Sequence, residues 1–350
     1  MKRPYLFVSV FLCSVLLPFV TIFCGIPCCR SVLGQEPCGK AVTTNPAFQY
    51  YPQIWGTNIL WLDRRSGNSD MFIYNFAKGR EVRVPPGHEE VNSINIYKDN
   101  VVYQVWGGNW DVWLLNIKSG NKRQISANHS WHEMLPRIWG DSVVWEDWRN
   151  GYGLGDIYLY NLKTKETRQI TTDPGAQGKP DIYKDVIVWH DKRNGNWDIY
   201  LYDLDKGEER RLTDDPADQF SPVIHGDHVV WVDSRNGNWD IFTHNLSTGT
   251  TTCICNDPSK QWWPQIWKNT ILWVDERAGE SAIYVYDITT GKGKPLCNSP
   301  APQRQPAIYE NRIVWMDFRN GAPGEMRQGN WDIFATSLPM YHITTSTSYP

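Results

Sequence analysis

Several spacings in this chain place residues that could do chemistry. Asp191, Arg193 and Asp198 set two carboxylates around a guanidinium, an arrangement suited to acid–base work. The same run, with Asn194, Gly195 and Asn196 inside it, has the oxygen-rich look of a calcium loop, but lacks the distal Glu of the helical calcium motif. His129-Ser-Trp-His132-Glu133 holds two imidazoles three apart beside an acid; these could begin a metal site that takes a further ligand from elsewhere. Cys253-Ile-Cys255 offers two thiols with no second ligand pair nearby. Gly-x-Ser-x-Gly, a phosphate loop and the zinc-protease helix are all absent.

The elements that position these residues follow from a repeat. Trp61-Leu-Asp63-Arg-Arg65 returns as Trp145-Glu-Asp147-Trp-Arg149, Trp189-His-Asp191-Lys-Arg193 and Trp231-Val-Asp233-Ser-Arg235. Trp273-Val-Asp275-Glu-Arg277 and Trp315-Met-Asp317-Phe-Arg319 complete the series, with a worn copy at Tyr103-Gln-Val-Trp106. The copies begin at 61, 103, 145, 189, 231, 273 and 315, so the unit recurs every 42 residues, with one step of 44. Each copy holds short β-branched and aromatic runs between Asn-Gly or Lys-Gly turns, where Gly and Asn tolerate a positive φ. This predicts a four-stranded antiparallel meander. In Asp156-Ile-Tyr-Leu-Tyr-Asn-Leu162, Ile157 and Leu159 point one way and Tyr158 and Tyr160 the other. A strand covered on both faces fits sheets stacked around an axis, not a sandwich with one wet face. The predicted fold is therefore all-β, a seven-bladed β-propeller. Its ring is closed by an N- or a C-terminal strand, since Ala41–Pro46 and Tyr341–Thr345 both match the outer strand and exit loop; the N-terminal segment is preferred.

Charge and composition narrow the partners. Among 350 residues, 35 Lys+Arg against 38 Asp+Glu give a net charge of -3, which argues against a nucleic-acid partner. Met1-Lys2-Arg3 and the uncharged run from Tyr5 to Ile26 read as an export signal, with cleavage after Gly34. The run is also long enough for an uncleaved anchor, which would attach the chain to a membrane. Residues 35–350 then form the propeller, outside the cell or in the periplasm. Beyond the signal lie Cys38, Cys253, Cys255 and Cys297, which allow three full pairings; ordinary buried thiols are expected. The sequons at Asn128 and Asn245 permit glycosylation.

The unit Trp-x-Asp-x-Arg-Asn-Gly-Asn-x-Asp-Ile-Tyr-x-Tyr-x-Leu, best seen from Arg193 to Leu204 and from Arg235 to Leu246, resembles the TolB-type (WD40-like) β-propeller repeat. The resemblance runs from residue 41 to about 345. It implies an extracytoplasmic, usually non-catalytic scaffold for protein or glycan contacts. TolB itself is usually six-bladed with a separate N-terminal domain; seven repeats here imply a stand-alone surface propeller and leave a Tol-system role unsupported.

What repeats is expected to be scaffold, so the Asp–Arg–Asp set and the strand-two Trp residues are read as hairpin pins and core. What differs is the candidate site. The entry loops and the hairpins between strands two and three should share one face, with the tight turns on the other. Between the recurrent Gln and Pro of each entry loop lies a varied pair near the channel mouth, giving Tyr50, Tyr51, Phe220, Trp262, Trp263 and Arg304 as the ligand-binding candidates. Flat rings among polar neighbours suit sugars or a peptide. Trp110, Trp197, Trp239 and Trp331 recur in the hairpins and are expected to pack, while the insertion 322–328 should edge a partner site. The expected function is binding of a protein or glycan at the cell envelope, with no cofactor and no catalytic residue. A carbohydrate-active enzyme such as a propeller-type polysaccharide lyase, or a structural envelope protein, are the alternatives. A bound metal at His129 and His132 would favour the enzyme.

Overall fold

Turn chemistry cuts the chain into strands of similar length. In blade four the innermost strand Gln177–Tyr183 turns at Lys184, whose φ is 52°, into Val186–Asp191. A second hairpin, through Gly195 at φ 101°, leads into Asp198–Asp203, and a third reaches the outer strand Glu208–Arg211. Asp191 sits directly opposite Asp198 across the second hairpin. Glycine is needed at 195 because a side chain there would be strained at that φ. A computed structural model describes residues 39–84, 90–126, 130–297, 299–321 and 329–339. Among these, 28 strands and no helix form seven separate four-stranded antiparallel sheets, the propeller that the repeat predicts.

The blades hold one another through both faces. Trp189 is fully buried and lies in one cluster with Val144, Ile157 and Leu159 of blade three. Each strand-two Trp also faces a ring on strand three of its own blade, as Trp189 does Tyr200 at 6.1 Å. Burial of such a side chain stabilises by about 3 kcal/mol, and six blades repeat it. This explains why apolar residues occupy both faces of strand three.

The Asp–Arg–Asp set pins the hairpin. Asp191, fully buried, accepts hydrogen bonds from Trp189 Nε1 at 2.9 Å, from the Arg193 backbone N–H at 3.0 Å, and from the guanidinium at 2.9 and 2.6 Å. The Arg193 guanidinium in turn lies 4.4 Å from the centre of the Tyr200 ring. The Asn residues of the calcium-like spacing are also spent: Asn194 donates to Asp198, and Asn196 donates to the carbonyls of Asp215 and Ala217 in the next entry loop. These groups are saturated by one another and by backbone, which is a scaffold role.

The N-terminal segment closes the ring. Lys40–Ala41 pairs antiparallel with Asp332–Ser337 as the fourth strand of blade seven. Thr43 Oγ1 accepts from Ile333 N at 2.8 Å and reaches Asp332 Oδ1 at 3.2 Å. Thr171 does the same within blade three, accepting from Ile157 N at 2.9 Å and donating to Asp156 at 3.1 Å. The rival segment Tyr341–Thr345 lies outside the described residues, as do the N-terminal run, Asn128 and the insertion 322–328. Of the thiols, Cys253 Sγ donates to the Cys255 carbonyl at 3.4 Å and Cys255 Sγ accepts from Arg277 Nη2 at 2.7 Å, whereas Cys297 is disulfide-bonded, which corrects the expectation of a buried thiol there. Among the described residues no helix is long and apolar enough to cross a membrane.

Candidate functional site: the axial channel and its loop-face mouth

The seven innermost strands line the axis, and their register stacks side chains in rings. At the loop-face end every innermost strand carries a β-bulge. The bulge puts one non-glycine residue in the left-handed region: Tyr51, Ser93, Leu135, Lys179, Ser221, Trp263 and Gln305, with φ between 41° and 55°. For an L-residue this costs roughly 1–2 kcal/mol. Strain repeated at all seven positions re-aims one side chain per blade at the mouth. Neighbours in this ring engage one another, Tyr51 N donating to Gln305 Oε1 at 2.8 Å and Lys179 Nζ to Ser221 Oγ at 3.0 Å.

One layer deeper the channel is polar on one side. Arg137 Nε lies 3.9 Å from Asp181, and Asn95 donates to Gln53 at 3.3 Å. Burial pushes the Asp181 carboxyl up to about 6, a rise that Arg137 partly offsets. Arg137 also acts across the axis on the Tyr51 hydroxyl, whose pKa burial raises.

At the tight-turn end the channel is plugged. The last residues of the innermost strands are Trp55, Tyr97, Trp139, Tyr183, His225, Trp267 and Tyr309, and neighbouring rings touch with centroids 4.4–5.0 Å apart. Three tryptophans meet across the axis: Trp55 to Trp139 at 5.7 Å, Trp55 to Trp267 at 5.6 Å, and Trp139 to Trp267 at 6.3 Å. His225 joins them as a neutral ring; burial pulls its pKa down to about 4, and its Nδ1 accepts from Lys268 N at 3.0 Å. The channel is therefore closed at its tight-turn end. Seven aligned positions of the repeat, one per blade, thus make a single plug.

The candidate residues divide. Tyr50 is buried, with its hydroxyl donating to Ser69 Oγ at 2.6 Å and its ring stacked on Phe48. Phe220 packs edge-on against Trp239 at 5.4 Å. Tyr51 and Trp263 stand in the strained ring. Trp262 and Trp263 stack nearly parallel, 4.6 Å apart at 11°, and both are half-exposed. Arg304 lies 5.9 Å from the Trp262 ring and 5.4 Å from that of Trp331, which is buried. The indole N–H of Trp262 finds no acceptor in the protein.

A second aromatic surface on the same face was not anticipated. Trp106, Trp131, Tyr152 and Leu154 are exposed on blades two and three. They continue through Trp106–Trp110 at 5.3 Å, Trp106–His132 at 5.9 Å, His132–Trp148 at 5.6 Å and Trp148–Tyr152 at 4.8 Å. His132 is thus held among rings, and its Nδ1 accepts from Trp110 N at 3.2 Å. His129 lies outside the described residues, among which no three His, Cys, Asp or Glu side chains are placed to hold a metal ion. The signals that could have found this surface were the worn second blade and the 44-residue step, which inserts Tyr152 and Leu154 into the hairpin between strands two and three of blade three.

No protein-family profile and no curated protein matches this chain. Solved structures do. TolB from Acinetobacter baumannii is 16% identical, with a TM-score of 0.50 over 68% of this chain and 62% of that one. The β-propeller domain of the Trilobed protease from Pyrococcus furiosus is 10% identical, with a TM-score of 0.65 over 84% and 94%. An oligogalacturonate lyase in complex with manganese is 12% identical, with a TM-score of 0.65 over 85% and 91%. The chain spans 62% of the length of that TolB, and 52% of a similarly folded puromycin hydrolase. At such identities the likeness is one of fold, and the fold is a TolB-type β-propeller.

Proposed function

We propose that this protein is an exported propeller that binds a glycan on its loop face and has no catalytic role of its own. The observation that carries the reading is the Trp262–Trp263 stack, half-exposed at the mouth of a channel whose far end is plugged. Stacked indoles offer a flat apolar surface for the C–H face of a sugar ring. The polar side chains inside the channel, Gln53 and Asn95 among them, offer hydrogen bonds for its hydroxyls. The basic start and apolar run of residues 1–34 support export.

A carbohydrate-active enzyme is the second reading. The oligogalacturonate lyase of like fold favours it, and it would use the same mouth. A glycan array probed with the full-length chain, beside a Trp262→Ala/Trp263→Ala variant, tests the binding proposal. Retention of a glycan by the wild type and its loss in the variant support it; equal binding by both sinks it. Cleavage of a retained glycan would move the protein to the enzyme class.

A further inference from the structure

Blade symmetry fails at one point on the loop face. The residue before strand three is Trp110, Trp197, Trp239 or Trp331 in four blades and Ser69 or Ser281 in two, but Gly155 in blade three. The second residue of the innermost strand has a side chain in six blades, yet blade four has Gly178. Between these glycines stands Glu146, at a position that is Leu62, Val232, Val274 or Met316 in four other blades. A Cβ on Gly155 would fall 2.8 Å from Glu146 Cγ and 3.0 Å from Oε1. One on Gly178 would fall 2.6 Å from Glu146 Oε2 and 3.0 Å from His190 Nε2. Gly178 thus leaves room for this carboxyl beside this imidazole, while at Gly155 a side chain would first meet the Gln177 carbonyl oxygen at 2.6 Å and then Glu146.

The pair keeps hydrogen-bonding capacity. Glu146 accepts from Trp148 Nε1 at 2.5 Å and from Lys179 N at 3.1 Å, two of the roughly four bonds a carboxylate can take. Burial raises its pKa and pulls that of His190 down to about 3, so the imidazole is neutral and offers one donor and one acceptor. His190 Nδ1 is fully buried and the ring stacks on Trp197 at 4.2 Å, so Nε2, on the side of Gly178, is the nitrogen left to meet a ligand. Beside Glu146, Trp148 meets Tyr152 edge to face, and Tyr152 is 81% exposed.

We propose that Glu146 and His190 form a recognition site for adjacent hydroxyls of a neutral sugar ring whose apolar face rests against Trp148 and Tyr152. A hydroxyl both donates and accepts, so neighbouring hydroxyls match a carboxyl acceptor next to a neutral imidazole. An anionic sugar would bring its carboxylate against Glu146. This inference rests on the glycan reading above and names the sugar class and the contacts that select it.

The test is calorimetric titration of the full-length chain with cellohexaose, maltohexaose, chitohexaose and an acidic galacturonate hexamer. Glu146→Gln and His190→Gln keep side-chain size, and an unchanged circular dichroism spectrum shows that they fold. The expected result is binding of at least one neutral hexasaccharide, weakened tenfold or more in each variant. Wild-type binding in both variants, or binding of the acidic hexamer alone, overturns the inference. If Trp262→Ala/Trp263→Ala loses binding while Glu146→Gln keeps it, the mouth reading stands and this site falls. If no hexasaccharide binds the wild type, both fall.

Discussion

Trp55 of blade one and Trp267 of blade six meet edge to face across the propeller axis, with ring centroids 5.6 Å apart. Trp139 of blade three completes the contact. Three blades that are distant in sequence are thereby tied at one point, and one end of the channel is closed. The plug makes the molecule directional: any ligand of the channel enters from the loop face.

The plug should contribute to stability as a core does. Trp267 touches Trp55, Trp139, His225 and Tyr309, so Trp267→Ala removes four ring contacts at once. A loss of about 3 kcal/mol is expected, read as a lower midpoint in urea unfolding. A change below about 0.5 kcal/mol would mean that the rings touch without holding the blades.

Glu133 gives the fold a pH dependence. It replaces the Gln found at Gln49, Gln177, Gln219, Gln261 and Gln303, is fully buried, and lies opposite Asp147. Burial, with Asp147 and Asp111 nearby, pushes its carboxyl up from 4.5 to about 9. The folded chain therefore holds a proton that the unfolded chain releases above about pH 4.5, and stability falls as pH rises from there to about 9. Glu133→Gln removes that slope. Its thermal midpoint should match the wild type near pH 4 and exceed it by a margin that widens steadily up to pH 8. Parallel curves across that range would contradict the assignment.

Ring closure depends on Thr43. Thr43→Val removes the acceptor for Ile333 N and the contact with Asp332, both at buried positions. About 1–3 kcal/mol should be lost. Hydrogen exchange should quicken in Asp332–Ser337 before it does in the central blades. Uniform exchange across all blades would place closure elsewhere.

The hairpin pins predict a larger cost at a buried acid than at a surface one. Asp191→Ala leaves the Trp189 N–H and the Arg193 guanidinium without their acceptor, and should cost about 2–3 kcal/mol. Asp205→Ala, in an exposed turn, should stay within about 0.5 kcal/mol. Equal effects would refute the scaffold reading of the repeat.

Repetition explains how much was legible in the sequence. Blade number, strand order and the hairpin role of Asp191 and Arg193 follow from a 42-residue period, because one local solution is written many times. The N-terminal closing strand followed from Ala41–Pro46 matching its siblings. The Glu146 site was harder, because its signal lies in two glycines that are ordinary alone and meaningful only when adjacent blades are superposed. The plug was missed for a related reason: contacts across the axis join residues whose separation in sequence reveals nothing. Tyr50 looked like its exposed siblings, and only the Ser69 and Phe48 contacts show why it is buried.

Hydroxyl-radical footprinting of the full-length chain, with and without saturating cellohexaose, tests the central claim most directly. The account predicts protection of Trp262, Trp263 and Tyr152 on the loop face, with Trp55, Trp139 and Trp267 at the plugged end unchanged. Protection confined to the plugged end, or none on the loop face while the sugar is bound, would contradict it.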